Sequence, residues 1–336
     1  MSKADAAAAI LWTGATLYTL FGGADFGAGF WDLVAGGAER GERPRALIER
    51  SLTPVWEANH VWLIFIIVIL WTTFPEAFGA LTSTLYVPLS LAVVGIVLRG
   101  AGFAFRKAAR RLEYRRAMGA TFALSSLLTP FFMGTVVGAV AAGNVPAEGN
   151  GDAFSTWLQP LPLVIGALFV ATGAYLAAVF LVADAGRAGD AELEDYFEER
   201  ALVAGIVAGL LALAAAFVLT EEAAYLYDRL VAEGLPLVIA SALCGLAVLV
   251  LLAGGSRRGL RPLAAGAVVA IVWGWGVAQF PYLLPTSLTI AESAAPDPTL
   301  TAVLVVFAAA AVVVLPALGL LYWLGQRELL EEEQHG

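Results

Sequence analysis

Cysteine, histidine and methionine are nearly missing from this chain of 336 residues, which has one Cys, two His and three Met. The lone Cys244 excludes an internal disulfide, and Cys-based metal or iron–sulfur sites need several such ligands. A membrane cytochrome takes its axial haem ligands from His, Met or Cys. Here that supply is His60, His335 beside the C-terminus, three Met including Met1, and Cys244, too few to hold several haems alone. No P-loop, glycine-rich nucleotide fingerprint or metalloprotease helix motif occurs in a plausible context. The chain is therefore expected to bind no metal, no cofactor of its own and no nucleic acid. Charge is scarce too: Asp, Glu, Lys and Arg make up 14% of the residues, against about 25% in soluble domains.

What fills the space is apolar. Hydrophobic residues are 60% of the chain and the mean hydropathy is +0.81. About 20 apolar residues at ~1.5 Å each cross a hydrocarbon core of ~30 Å, and runs of that length recur at 7–35, 54–74, 78–102, 117–142, 161–183, 201–220, 235–254, 262–282 and 299–324. This predicts an all-α polytopic membrane protein of about nine transmembrane helices, the first open to interruption at its glycines. A β-barrel would show alternating segments of about 10 residues, and these are absent from the sequence. Residues 1–336 read as one transmembrane domain with an acidic tail at 325–336, and no cleavable signal peptide is expected.

Orientation follows from the basic residues, because cytoplasmic loops hold their excess. Arg40, Arg43, Arg45 and Arg50 follow the first span, and Arg106, Lys107, Arg110, Arg111, Arg115 and Arg116 follow the third, at whose end lies Arg99. Arg187, Arg200, Arg257, Arg258, Arg261 and Arg327 fall on the same side, leaving only Lys3 and Arg229 on the other. The N-terminus is then outside and the C-terminus cytoplasmic. The net charge of −9 comes largely from acidic loops and tails, such as 192–199 and 328–333, read as solvated segments.

Ionisable residues inside spans cost about 2.5–3.5 kcal/mol each even on the lenient insertion scale, so they are candidate functional groups. Asp25 lies in Gly22-Gly23-Ala24-Asp25-Phe26-Gly27-Ala28-Gly29-Phe30, with Asp32 seven residues on and on the same helical face. Gly23 and Gly27, four apart, allow a neighbouring backbone to come close. Glu57 and His60 are i,i+3 neighbours in Thr53-Pro54-Val55-Trp56-Glu57-Ala58-Asn59-His60-Val61-Trp62. The alternation of spans gathers Asp25, Asp32, Glu57, His60 and Arg99 in the cytoplasmic half of the first three helices. Two readings stand side by side. The acids and the imidazole form a proton relay, or Arg99 pairs with Asp25 or Glu57 in a structural salt bridge. Trp12, Trp31, Trp71 and Trp323 near span ends read as an interfacial aromatic belt.

These segments, with Phe280-Pro281-Tyr282-Leu283-Leu284-Pro285-Thr286-Ser287, resemble subunit II of the cytochrome bd quinol oxidases in order and spacing over nearly the whole chain. The resemblance implies two four-helix bundles plus a peripheral helix. It implies a heterodimer with subunit I, which holds haem b and haem d, oxidises quinol and reduces oxygen to water, with small single-span subunits and membrane lipid or quinone as further partners. It implies a prokaryotic plasma-membrane location and a part in proton uptake. Carried over residue by residue, Glu57 is the acid after Trp56, Asp25 the acid of the glycine-rich segment, and Trp56 and Asn59 belong to the same signature. Many members have Asp where this chain has Glu57, which reaches one methylene further. The Glu-x-x-His form points to the cyanide-insensitive branch. Rival expectations are a secondary transporter, which would favour inverted repeats and paired broken helices, and a purely structural membrane subunit.

Overall fold

The computed structural model describes residues 2–37, 40–52, 56–108 and 111–326. Within these, the side chains at 52, 56–60, 106–108, 112, 115, 315, 318 and 321–326 lie outside the described set, as do residues 327–336 entirely. His335 and the predicted acidic tail beyond 326 are therefore outside the description.

Thirteen α-helices carry the described chain: α1 (Lys3–Leu17), α2 (Gly23–Val34), α3 (Glu42–Leu52), α4 (Trp56–Thr73), α5 (Pro75–Thr84), α6 (Tyr86–Ala108), α7 (Leu112–Ala141), α8 (Pro160–Arg187), α9 (Ala191–Glu222), α10 (Ala224–Ala232), α11 (Leu235–Ala253), α12 (Leu260–Gln279) and α13 (Asp297–Gln326). Eight of the resulting helices are long and apolar enough to cross a membrane, and a bent pair makes nine if it counts as one span. The first of them spans Lys3–Val34. Its expected interruption is a π-helical turn at Tyr18–Gly22, which joins α1 to α2 and ends where the glycine-rich segment begins.

The expectation of a span over 78–102 is corrected. The apolar Val61–Thr73 bends by 117° into α5. Pro75 has no N–H to continue the ladder of α4, and Phe74 leaves the helical region with φ −135° and ψ 61°. A second break at Leu85, φ −103° and ψ 26°, lets the crossing helix α6 start at Tyr86. Pro88 falls in its first turn, where a missing donor costs nothing. Hydropathy alone could not see these breaks, since both sides of each are apolar.

Helix α8 packs against α2, α7, α9 and α12, and so joins the first half of the chain to the second. The contact with α2 is backbone on backbone. A β-carbon at Gly27 would overlap the Gly173 carbonyl, and one at Gly173 would sit 2.7 Å from the Gly23 oxygen. This is the close approach predicted from Gly23 and Gly27, with α8 as the neighbour. Beside it the Trp31 indole donates to the Ala174 carbonyl at 2.8 Å, and the ring is buried. Trp12 likewise donates to the Val272 carbonyl of α12 at 2.9 Å and packs edge-on against Trp275. Both indoles were expected at the interface and sit in helix–helix seams instead, because each N–H finds a carbonyl there. Trp71 is exposed, as a belt residue should be, and stacks on Phe78; the side chain of Trp323 is outside the described set. Outward faces are apolar, for example Val203, Ile206, Leu210, Leu213 and Phe217 on α9. Lipid, which is as apolar as these side chains, is the solvent that permits such a face.

The two ends of the bundle differ. At one end Arg43 pairs with Asp190 at 2.8 Å and Glu192 at 2.5 Å, while Arg257 pairs with Glu194 and Glu198, each at 2.7 Å, and with Asp195. The acidic 192–199 stretch, expected to be merely solvated, thus ties the first turn of α3 and the loop before α12 to α9. At the opposite end Lys3 pairs with Asp297 at 2.6 Å, so the N-terminus and the start of α13 share a side. There α5, the 143–159 loop and the 281–296 segment close over the helix ends. Ser83 and Thr84 accept from the Asn150 and Gly151 amides, Ser287 donates to the Val145 carbonyl, and Ala295 donates to the Thr73 carbonyl. The 281–296 segment carries a short antiparallel pair, β1 (Tyr282–Leu284) and β2 (Leu288–Thr289), after a cis Phe280–Pro281 bond.

Candidate functional site

The candidate site builds up from the glycines of α2. With no side chains at Gly23, Gly27 and Gly29, α2 can sit close to α8 and α7, and Asp25 in its first turn is 2% exposed. Arg99 of α6 is also 2% exposed and meets it bidentately: Nη1 donates to Oδ2 and Nη2 to Oδ1, both at 2.8 Å. Nη2 donates further to the Asp25 carbonyl at 3.0 Å, and Nε donates to Ser126 Oγ of α7 at 2.9 Å. The guanidinium carbon lies 4.8 Å from the ring centres of both Phe26 and Phe122. Such a planar fork suits a carboxylate better than an ammonium would. Of the two partners left open for Arg99, the structure thus brings Asp25 to it.

Tyr18, at the start of the π-helical turn that precedes α2, packs edge-on against Phe26 and donates to Met133 Sδ at 3.7 Å. Asp32 lies further along α2, 5% exposed, with Arg45 Nε 3.3 Å from its Oδ1. Arg45 also donates to the carbonyls of Gly36 and Gly37, so it closes the C-terminal end of α2 as well as pairing its acid. Asp25, Asp32, Arg99 and Arg45 therefore collect toward the end where the basic loops gather. Glu57, His60, Trp56 and Asn59 lie on the first turns of α4, and their side chains are outside the described residues.

Three members of this arrangement were not foreseen: Ser126, Phe122 and Arg45. Arg45 was visible only as one of several loop arginines. Ser126 is one hydroxyl among several on α7, and nothing local marks it as an acceptor. Among the described residues no group of three His, Cys, Asp or Glu could hold a metal ion. What the site offers is a charge-neutral pair sealed from solvent, with a second, partly accessible pair below it.

These features define a class: a multi-pass, all-helical membrane protein with a buried ion pair near the basic end of its first half. The chain belongs to the family described as cytochrome bd terminal oxidase subunit II, matched over residues 4–325, and so to a respiratory quinol oxidase complex, an oxidoreductase. It is 21% identical over 322 residues, 92% of each chain, to a protein of Bacillus subtilis (strain 168) named as a cytochrome bd menaquinol oxidase subunit II. It is 26% identical over 121 residues to cytochrome bd-I ubiquinol oxidase subunit 2 of Escherichia coli (strain K12), covering 36% of this chain and 31% of that one. The bd oxidase structure from Geobacillus thermodenitrificans matches with a TM-score of 0.76 and 26% identity, over 96% of this chain and 98% of that chain.

Proposed function

We propose that this chain is the haem-free subunit of its oxidase, working as a single membrane domain in a prokaryotic plasma membrane. Haem b, haem d and quinol oxidation belong to subunit I, which this chain stabilises, and small single-span subunits can join the pair. The N-terminus faces outside, and protons for reduction of oxygen enter from the cytoplasmic end through the acidic cluster. Glu57 is the proton-carrying group, with His60 and Asp32 beside it.

The observation that carries this reading is the gathering of buried acids at the end of the bundle where the basic loops meet. Burial inside a span is costly, so acids persist there when they hold a structure together or move protons. Asp25 is fully engaged by Arg99, whereas Glu57 lies at the start of a helix that opens toward that end.

The test is Glu57→Gln in the assembled oxidase, with haem content and quinol-driven oxygen consumption measured on one preparation. Normal haem with turnover down on the order of a hundredfold is expected for loss of a proton-transfer group. Full turnover removes Glu57 from the route, and parallel loss of haem and activity makes it structural. Orientation is tested separately by labelling from outside in a Cys244→Ser background. Glu148→Cys on the exposed 143–159 loop should react and Ala188→Cys, exposed at the other end, should not. On this reading the Glu57-x-x-His60 form marks the cyanide-insensitive branch, which a cyanide titration of oxygen uptake checks.

A further inference from the structure

The geometry points to Ser126 and Phe122 of α7 as positioning residues that lock Arg99 and Asp25 into a fixed ion pair, so that protons passing through the acidic cluster bypass Asp25. This rests on the reading of that cluster as a proton route.

A carboxyl group that carries protons must take one up, hold it as O–H, re-aim and release it. Both Asp25 oxygens are tied to the cation: Oδ1 and Oδ2 each accept from Arg99 at 2.8 Å, so a proton on either oxygen removes the charge that holds the guanidinium. The neutralised acid would leave a guanidinium unpaired at 2% exposure, the costliest state for a buried pair.

Nor can Arg99 give way. Of its five N–H groups, Nε is held by Ser126, one Nη1 hydrogen by Oδ2, and Nη2 by Oδ1 and the Asp25 carbonyl. Ser126 spends its own hydrogen on the Phe122 carbonyl at 2.7 Å, which leaves its oxygen as an acceptor aimed at Nε. The rings of Phe26 and Phe122 hold the guanidinium carbon at 4.8 Å, and a cation facing such rings gains about 0.5–2 kcal/mol. The backbone is fixed too. A β-carbon at Gly29 would overlap Ser126 Oγ, and one at Gly102 would lie 2.8 Å from the Phe122 amide nitrogen. The three helices are in contact where the pair sits.

Around the pair, α1 and its π-helical turn contribute Tyr18, whose hydroxyl is turned to Met133, and α8 meets α2 through the Gly173 backbone. Asp32, seven residues on, is paired with Arg45, and Glu57 and His60 lie on the first turns of α4, their side chains outside the described residues. In the proposed route Glu57, His60 and Asp32 carry the protons and Asp25 is left out.

The test removes both charges together. The assembled oxidase carrying Asp25→Asn with Arg99→Met should keep its haem and turn over within about threefold of the unaltered enzyme, since a buried ion pair replaced as a pair is often neutral. Full haem with turnover down on the order of a hundredfold would make Asp25 a carrier and overturn the inference. Should the double variant not assemble, Ser126→Ala decides. The inference expects haem to be released at lower temperature with the pH profile of turnover unmoved. A displaced pH profile, showing that loosening Arg99 lets Asp25 titrate during turnover, overturns it. The two readings fail separately. Glu57→Gln at full speed beside an active double variant ends the Glu57 route and leaves the fixed pair standing, whereas an inactive double variant beside a slow Glu57→Gln ends only the bypass.

Discussion

The two halves of the molecule treat charge in opposite ways. In the first half, α2, α6 and α7 enclose Arg99 and Asp25 at 2% exposure each. In the second half, α8 to α12, the described charges stay at the ends: Asp184 with Arg187 and Arg261, and Arg257 with the acids of α9. The interior polar groups there are neutral, such as Ser241 donating to the Ala267 carbonyl at 2.8 Å and the buried Tyr175, whose hydroxyl has no partner among the described residues. A four-helix packing in lipid therefore needs no ion pair at its centre, and the second half holds together without one. The pair in the first half calls for a reason beyond cohesion, and under the proposed function that reason is a fixed, neutral wall for the groups that exchange protons.

The largest expected effect comes from breaking only one side of that pair. Arg99→Met leaves Asp25 buried without a counter-charge and should cost about 3–5 kcal/mol, seen as loss of assembled, haem-containing oxidase from the membrane. If Arg99→Met assembled as well as the unaltered enzyme, the contrast between the halves would lose its energetic basis. Gly27→Ala comes next. Its added carbon meets the Gly173 backbone, which cannot rotate away, so α2 and α8 must separate. Overpacking of this kind costs about 1–3 kcal/mol, read as a lower temperature of haem release in detergent. Gly209→Ala on α9, where a β-carbon meets nothing within 4 Å, is the matched control and should change little. Arg261→Ala in the second half should cost only about 1 kcal/mol, because the pair lies near an end and Asp184 keeps Arg187.

The smallest effect concerns pH. A hydrogen bond from Arg43, followed by one from the Leu193 amide, holds the Asp190 carboxyl below the ordinary carboxylate range. A carboxylate lowered in the folded state adds stability above its unfolded pKa and loses it as pH falls through the folded value. The temperature of haem release should therefore drop slightly on acidification below about pH 4, and Asp190→Asn should flatten that dependence. An unchanged slope in Asp190→Asn would show that the Arg43 contact contributes nothing to joining the two halves.

Legibility from sequence varied with how local each feature is. The crossing helices, the glycine approach at Gly23 and Gly27, and the burial of Asp25 and Asp32 all follow from composition and periodicity over a few turns. The break at Leu85 did not, because Phe74, Pro75 and Leu85 sit among residues as apolar as a continuous span. The buried Trp31 and half-buried Trp12 looked like belt residues, since an indole near a span end has the same sequence signature whether it faces headgroups or a neighbouring helix. The 192–199 acids looked solvated because their arginine partners lie about 60 and 150 residues away in sequence.

Lipid residence and the run of long apolar helices were decided by the sequence alone. In hydrocarbon every backbone N–H and C=O must be satisfied within its own segment, so an apolar run of sufficient length has one solution, a helix. Which charge meets which was decided only by the tertiary structure. Arg99 could reach an acid on either of two helices by reasoning from span ends, and a bidentate bond depends on the angle and depth at which helices pack. Close passage of α2 beside α7 and α8, made possible by missing side chains at Gly27, Gly29 and Gly173, brings Asp25 within 2.8 Å of Arg99. It leaves Ser126, a residue with no mark of its own in the sequence, as the group that holds the arginine in place.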